Sequence, residues 1–195
     1  MYLEQGQQSE ASFPSTYLHS TNPTTGVDRK TLSSASGDLK FVEVGGAMKT
    51  IWNSQLSSCA VLVFVLDLSN RVQVFPAAFE LFQLMSHPQL KQVPIVLVLS
   101  KCDTEGRLTR SELQMLMRLD DLIASRSISS AGKQTQKQNE NENIASAPFH
   151  IVEVSTLTGE NVRELLELLE KLVSSQPVEA SCLDIPSKST VTSSS

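Results

Sequence analysis

The chain has 195 residues and a net charge of −5, with 16 Lys and Arg residues against 21 Asp and Glu residues. This length favours a single domain, and the basic residues are too evenly spread to form the face that a nucleic-acid partner needs. Three cysteines without metal-ligand spacing exclude a disulfide framework and suit a reducing cytoplasm.

The N-terminal segment shows no targeting signal. It has neither a basic n-region nor an apolar h-region, and Tyr2 stands where N-myristoylation requires Gly. The longest apolar run, residues 59–66, is far too short to span a bilayer. We therefore expect a cytoplasmic protein without a transmembrane segment or an N-myristoylation site.

The strand pattern begins after an irregular or disordered N-terminal arm, residues 1–22. Residues 39–44 alternate weakly in polarity, which predicts a strand. Residues 60–66 and 94–99 are continuously apolar and rich in β-branched side chains, and residues 150–154 repeat the pattern more weakly. Because apolar runs without a polar side are typical of strands covered on both faces, we predict a mostly parallel sheet.

Amphipathic helical patterns alternate with these strands, at residues 76–85, 111–124 and 159–173. Thr109 or Ser111 is the expected cap of the second helix, with Glu112 in its first turn. This alternation predicts a doubly wound α/β fold.

Two polar segments fall outside the α/β pattern. Residues 126–147 are rich in Ser, Gln, Asn and Lys, and we interpret them as a flexible low-complexity insert. Residues 174–195 form a Ser/Thr-rich tail that we expect to be disordered, because it has too little apolar surface to bury. The remaining segment, residues 23–173, is the predicted domain.

Small polar signatures follow three of the predicted strands. In doubly wound sheets, ligands bind at the carboxyl ends of the strands, so signatures at these positions are expected to meet on one edge. The signatures are Gly45 and Gly46 after the first strand, Ser100, Lys101, Cys102 and Asp103 after the third, and Ser155, Thr156 and Leu157 after the last.

These signatures resemble the motifs of the ADP-ribosylation factor (Arf) family of small GTPases. Residues 100–103 resemble the [Asn/Thr]-Lys-x-Asp guanine motif, and residues 155–157 resemble Ser-Ala-Lys/Leu. Residues 43–46, Glu-Val-Gly-Gly, resemble the Asp-x-Gly-Gly start of switch II, and residues 23–26 match the Pro-Thr-x-Gly of switch I. The resemblance covers about three-quarters of the chain and implies a G domain that binds GTP or GDP and interacts with protein effectors or regulators.

The resemblance assigns guanine recognition to six residues. Asp103 is expected to accept two hydrogen bonds from the base, and Lys101 to lay its aliphatic stem along the base and ribose. Ser100 replaces the usual Asn and shortens a side-chain bridge, so we expect weaker binding. Backbone amides around Thr156, within residues 155–157, are expected to meet the guanine O6. The alternatives are that Asp103 is an ordinary loop residue, and that Ser155 and Thr158 simply cap the last helix.

The resemblance also assigns the phosphate and metal contacts. Thr24 would bind Mg²⁺ and sense the γ-phosphate, unless it is merely part of a Thr-rich arm. Gly45 and Gly46 form the switch turn, where the Gly46 amide would reach the γ-phosphate. Glu43 would hold Mg²⁺ through water. We expect Trp52 to pack in the switch region rather than to contact ligand.

One family motif is missing from the sequence, the phosphate-binding P-loop. No G-x-x-x-x-G-K-[S/T] motif precedes Thr24, where the one glycine is Gly6. The fold class that we predict is therefore a P-loop NTPase-like G domain lacking its first strand and P-loop. That strand lies mid-sheet in the family. If residues 1–22 do not supply it, two strands would lose a shared neighbour, and each unpaired bond would cost about 1–3 kcal/mol.

Three functional hypotheses follow. The first is a divergent Arf-like guanine-nucleotide switch with weak or no hydrolysis, because Ala47 stands where the family has the Gln that orients the attacking water. We assign no catalytic residue. The second is a pseudo-GTPase, an interaction module that binds no nucleotide. The third is a truncated fragment of a longer GTPase.

Overall fold

The computed structural model of the chain describes residues 22–34, 37–121, 123–124 and 147–176. The predicted N-terminal arm up to residue 21, most of the predicted insert (residues 126–146) and the predicted tail from residue 177 lie outside the described residues. The domain boundaries therefore stay predictions.

An antiparallel hairpin opens the described part of the chain. Strand β1, Val27–Ser34, pairs with strand β2, Gly37–Val44, in a register that places Val27 opposite Val44 and Ser34 opposite Gly37. The sequence predicted most of β2 but missed β1. Strand β1 is largely exposed and polar on both sides, so it shows neither alternation nor an apolar run.

A parallel sheet forms the centre of the fold, in the order β3, β4, β5. Strand β3 spans Leu62–Asp67, β4 spans Ile95–Ser100 and β5 spans Phe149–Val154. The middle strand β4 is buried from Ile95 to Leu99, as its continuous apolar sequence predicts. The three predicted strands are confirmed with boundaries that differ by one or two residues.

Helices α1 at Lys49–Trp52, α2 at Arg71–Met85 and α3 at Arg110–Met117 lie between the strands, and α4 at Val162–Ser174 follows β5. Short 3₁₀ helices follow α1 at Asn53–Ser58 and α2 at Pro88–Leu90. Within the described ranges, none of the helices has the length and hydropathy that crossing a bilayer requires.

Three helix boundaries differ from the predictions. Helix α2 begins five residues before Pro76, which therefore lies inside the helix rather than at its start. Helix α3 ends where Arg118 takes a left-handed conformation, and helical residues resume at Leu119. Helix α4 begins after Asn161, because this residue and Gly159 both have positive φ angles that form a turn.

The predicted cap of α3 is confirmed. Thr109 Oγ1 accepts the amide of Glu112, and the Glu112 carboxylate accepts the amide of Thr109, which forms a reciprocal capping box.

The parallel sheet carries a hydrophobic layer on each face. On one face, apolar side chains of β3 and β4 pack against α2 and α3, and this cluster includes Leu66, Leu97, Leu99, Leu81 and Leu113. On the other face, apolar side chains of β4 and β5 pack against α4, and this cluster includes Val96, Val98, Val154, Leu169 and Leu172. Helices on both faces of a parallel sheet confirm the predicted doubly wound α/β fold.

The hairpin and the parallel sheet remain separate hydrogen-bonded ladders. Among the described strands, β2 and β3 share no ladder, although Phe41 of β2 packs against the cluster that contains Val96 and Val98. The side chain of Val65, in the middle of β3, is 62% exposed. The expectation that two strands lose a shared neighbour depends on residues 1–22, nearly all of which lie outside the described residues, so it stays a prediction.

Candidate functional site

The end of β4 and the loop after it carry the predicted residues Ser100, Lys101 and Asp103, and neighbouring strands anchor this segment. Ser100 Oγ donates to the Leu66 carbonyl of β3 at 3.1 Å, and the Cys102 amide donates to the Val154 carbonyl of β5 at 3.2 Å. Lys101 has a φ angle of 60°, a left-handed conformation that costs a non-glycine residue about 1–2 kcal/mol. Such strain persists only where surrounding contacts determine the backbone, and it is common at functional sites.

A carboxylate at the end of β3 holds the Lys101 side chain. Lys101 Nζ lies 2.6 Å from Asp67 Oδ2, and Asp67 Oδ1 accepts hydrogen bonds from the amide and hydroxyl of Ser69. Partial burial acts most strongly on the Asp67 carboxyl and raises its pKa, but the hydrogen bonds from Lys101 and Ser69 together lower the pKa below its usual value. The Asp67 carboxylate is therefore ionised at neutral pH.

Sequence reasoning missed Asp67. The available signal is that Asp67 directly ends a continuous apolar strand, as Ser100 does at the end of the next strand. The register pairs Asp67 with Ser100 across the β3–β4 ladder. The carboxyl ends of adjacent parallel strands meet at one edge, so this position predicts that Asp67 lies beside the other site residues.

The loop after β5 is closed by Ser155, the fully buried residue at its start. Ser155 Oγ accepts the amide of Thr158 at 3.0 Å, and the Ser155 carbonyl accepts the amide of Gly159 at 2.9 Å. The alternative that Ser155 and Thr158 cap the last helix is wrong, because their side chains accept amides before α4, from Thr158 and Glu160. The last helix has no side-chain cap, and Asn161 holds its start by donating to the Glu153 carbonyl.

The structure leaves hydrogen-bonding groups available at this edge. The Asp103 side chain is exposed, and no hydrogen bond or ion pair joins its carboxylate to another described residue. The amides of Thr156 and Leu157 likewise donate to no acceptor in the described part of the chain. The bond from Cys102 to Val154 brings the two loops together, so acceptor oxygens and donor amides lie at the same carboxyl edge.

The thiol of Cys102 lies between these two loops. Cys102 Sγ is 3.7 Å from Glu160 Oε2, which it can approach as a weak donor. Burial, reinforced by the negative charge of Glu160, raises the pKa of the thiol. The thiol therefore stays protonated at neutral pH and links the loops as a neutral group.

The hairpin carries the second group of predicted residues. Thr24 Oγ1 donates to Glu43 Oε1 at 2.5 Å, and the Gly45 amide donates to the Gly26 carbonyl at 3.0 Å. A Cβ atom at Gly45 would lie 1.9 Å from the Thr24 carbonyl oxygen, so this position requires glycine. The amides of Gly46 and its neighbour Ala47 donate to no acceptor among the described residues.

Trp52 joins the switch turn to the parallel sheet. Its Nε1 donates to the Gly45 carbonyl at 3.2 Å, and its ring meets Phe64 of β3 edge to face, with 6.4 Å between ring centroids. Lys49 forms a second link by pairing with Glu80 of α2 at 2.5 Å. Trp52 therefore packs between this turn and the sheet, as expected, while the assignment of the turn to a switch region stays a prediction.

The two predicted metal ligands have the oxygen donors that Mg²⁺ requires. Thr24 and Glu43 converge as two oxygen donors, which suits an ion that takes one or two protein oxygens and completes its shell with water and phosphate. Within the described residues, no three or more His, Cys, Asp or Glu side chains lie together in a group that could hold a metal ion.

The predicted residues thus fall into two groups, one on the loops after β4 and β5 and the other on the hairpin. Within the described ranges, no hydrogen bond or ion pair joins the two groups directly. The roles assigned to Thr24, Glu43, Gly45, Gly46 and the six base-site residues stay predictions.

Comparisons with known proteins agree on the family. The model of the ADP-ribosylation factor family matches residues 12–173. ADP-ribosylation factor-like protein 16 of Homo sapiens is 32% identical over 104 residues, which cover 53% of this chain and 52% of that protein. ADP-ribosylation factor-like protein 3 of Saccharomyces cerevisiae is 26% identical over 153 residues, which cover 77% of this chain and 67% of that protein. The chain spans about half the length of the human relative.

The fold has a similar solved structure, the Arl6 small GTPase of Trypanosoma brucei with the bound nucleotide analogue GppNp. The TM-score is 0.64 at 19% identity, and the match covers 83% of this chain and 87% of that chain. At this identity the likeness shows the fold alone. Because the family model matches most of the residues, the chain belongs to the ADP-ribosylation factor family.

Proposed function

We propose that the chain binds the guanine nucleotides GTP and GDP and acts as a divergent Arf-like switch with weak or no hydrolysis. The observation that carries this proposal is the pairing of the loops after β4 and β5 through the bond from the Cys102 amide to the Val154 carbonyl. Asp103 follows Cys102 directly and Thr156 lies two residues after Val154, so this bond supports a common site for the exposed Asp103 carboxylate and the amides of Thr156 and Leu157, which are unpaired among the described residues. Guanine presents the complementary groups, two N–H donors and one carbonyl acceptor.

Each residue of this edge has a role in the proposed complex. Asp103 accepts bonds from the guanine N1–H and the exocyclic amine, a charge-assisted pair that adenine cannot form. Lys101 lays its methylene stem along the base, and the amides of Thr156 and Leu157 donate to O6. Ser155 supports that loop from its buried position. Ser100 cannot make the longer bridge of an Asn, because its hydroxyl already donates to Leu66.

The hairpin supplies the phosphate side of the proposed site. The Gly46 amide is unpaired among the described residues and can donate to a phosphate oxygen. Thr24 and Glu43 would hold Mg²⁺, which when bound supplies positive charge beside the phosphates. Because the switch turn contacts β3 through Trp52, protein effectors or regulators could sense a change in this turn.

Hydrolysis is expected to be weak at most. Ala47 follows the switch glycines with a methyl side chain, which can neither accept nor donate a hydrogen bond to an attacking water. No other side chain of the described hairpin is assigned this role, so no catalytic residue is proposed.

The proposal is tested by titrating the purified chain with a fluorescent GDP or GTP analogue. Asp103→Ala removes both charge-assisted bonds and should weaken binding about 100-fold or more, since each such bond contributes about 1.5–3 kcal/mol. Asp103→Asn should shift preference from guanine to xanthine, because the amide can donate to the xanthine O2. Glu105→Ala, two residues along the same loop, is the matched control and should bind normally. Non-saturable binding that is insensitive to Asp103→Ala would exclude the proposal.

A second candidate function is an interaction module that keeps the fold and binds no nucleotide. Ala47 favours it, because a module without nucleotide chemistry has no need of a water-orienting side chain. Native mass spectrometry of the protein purified from cells separates the two candidates. Co-purified GDP or GTP supports the switch, whereas a ligand-free chain that still captures defined protein partners supports the module.

A further inference from the structure

The Lys101 side chain crosses from its own loop to the end of the neighbouring strand. Its Nζ lies 2.6 Å from Asp67 Oδ2, and the register already pairs Asp67 with Ser100, the residue before Lys101. The Lys101 side chain therefore runs from the loop after β4 to the end of β3. An unpaired lysine would instead sample many rotamers.

Asp67 is itself held in place. Its Oδ1 accepts hydrogen bonds from the Ser69 amide at 2.8 Å and the Ser69 hydroxyl at 2.6 Å, which leaves Oδ2 for the lysine. The carboxylate thus has one oxygen that fixes its orientation and another that binds the ammonium. Ligand-contacting groups are well placed when their neighbours are locked in this way.

Fold stability alone does not account for this arrangement. The Lys101 and Asp67 side chains are 56% and 32% exposed, and ion pairs in solvent contribute little to stability. The pair nevertheless includes a residue with a strained left-handed backbone, two positions before Asp103, whose side chain is exposed. Strain combined with oriented polar groups indicates a functional rather than a stabilising role.

We propose that Asp67 is a positioning residue of the base site, which holds the Lys101 stem so that its methylenes form one wall against the purine ring. The inference rests on the proposed binding of guanine nucleotide. Asp67 acts through Lys101 and is not assigned a contact with the nucleotide. A stem held in place before binding loses less side-chain entropy when the base arrives.

Substitutions at Asp67 test the proposal with a fluorescent GDP analogue as probe. Asp67→Asn keeps the shape but loses the charge, and we expect about tenfold weaker binding, mainly through faster dissociation. Asp67→Glu restores the charge and should recover most of the affinity. Asp28→Asn is the matched control, because Asp28 also pairs with a lysine, at 3.3 Å, and accepts a backbone amide. All three variants should melt within about 2 °C of the unsubstituted chain, since exposed pairs stabilise little.

A double-mutant cycle shows whether Asp67 acts through Lys101. In a Lys101→Ala background, Asp67→Asn should cause no further loss of affinity, because the stem that Asp67 holds is gone. Full affinity in Asp67→Asn alone, or an undiminished loss in the Lys101→Ala background, would overturn the proposal.

Hydrogen exchange separates failure of this inference from failure of the proposed function. If the unsubstituted chain binds no GDP analogue, the proposed function fails, and the exchange rate of the Cys102 amide then decides the positioning role. Faster exchange of this amide in Asp67→Asn, but not in Asp28→Asn, supports the hold of Asp67 on the loop. Equal exchange in both variants overturns it.

Discussion

Individual residues with strict steric or hydrogen-bonding requirements shape both groups of the candidate site. Gly45 lies so close to the Thr24 carbonyl that any Cβ atom would clash, and this approach brings Thr24 to Glu43. Ser155 fixes the loop after β5 in a similar way, because its buried hydroxyl accepts the Thr158 amide in place of a backbone carbonyl. Single small residues therefore fix the shape of these loops, and the sequence motifs that mark them are only a few residues long.

Cys59 gives a prediction about the dependence of stability on pH. Burial against the cluster of Leu56, Leu84 and Leu90 raises the pKa of the Cys59 thiol from 9.0 to about 11. Between these values the folded chain keeps the thiol proton while the unfolded chain releases it. The contribution of Cys59 is therefore complete below pH 9 and is lost as the pH rises towards 11, by at most about 2–3 kcal/mol.

The measurement compares urea unfolding of the unsubstituted chain and Cys59→Ala at pH 7, 9 and 10. All other ionisable groups are common to the two proteins, so the difference between the two free energies of unfolding isolates the cysteine. We expect this difference to shrink above pH 9. A difference that stays constant with pH would contradict the raised pKa.

At the scale of elements, the sequence predicted the strands and helices that the core buries and missed those held by hydrogen bonds alone. Strand β4 was predictable because Ile95–Leu99 is apolar throughout and buried on both faces. Strand β1 was not, because its side chains are mostly exposed and its pairing with β2 is set by the ladder. The start of α2 was misplaced because a proline is usually found in the first turn, whereas Pro76 lies in the second.

The outer edge of β3 gives a prediction at this scale. The Leu62 amide donates to the Pro94 carbonyl at 2.9 Å, and the Leu68 amide donates to the Ser100 carbonyl at 3.0 Å. Because backbone amides point alternately to the two sides of a strand, the amides of Phe64 and Leu66 also point towards β4. The amide of Val65 points to the other side, where no described strand pairs with β3. We expect Val65 to exchange its amide hydrogen roughly 100-fold faster than Phe64.

Site-resolved hydrogen exchange by NMR measures this contrast. Leu97 and Val98 of β4 serve as controls, because β4 has a neighbour on each side and both amides should be protected. Equal protection of Val65 and Phe64 would show that another segment pairs with β3 in solution.

At the scale of the whole molecule, the sequence predicted the doubly wound fold and the meeting of the two base-site loops, because both follow from parallel strands. It could not predict the Asp67–Lys101 pair or the bond from Ser100 to Leu66, since these depend on side-chain directions across a ladder. The relation of the switch turn to the sheet was also beyond the sequence. That relation is set by Trp52, whose partners lie seven residues before it and twelve residues after it.

Trp52 accordingly gives a prediction about how the two ladders are coupled. Trp52→Ala removes the edge-to-face contact with Phe64 and the hydrogen bond to the Gly45 carbonyl, and should lower the free energy of unfolding by about 2 kcal/mol, less than for a fully buried tryptophan. Amides of the β1–β2 hairpin should then lose protection while those of β4 keep theirs, because the hairpin has lost a main contact with the sheet.

Chemical denaturation and residue-resolved hydrogen exchange measure the two effects of Trp52→Ala. Phe79→Ala is the matched control: it also deletes an aromatic ring, but the Phe79 side chain is exposed on α2, so both the unfolding energy and the hairpin amides should change little. If Trp52→Ala lowers the protection of the hairpin and of β4 by the same factor, the two ladders unfold as one unit and Trp52 contributes to global stability rather than to their coupling. A selective loss in the hairpin instead means that the switch turn can open while the base-site loops stay folded, which is the freedom that a nucleotide-dependent switch requires.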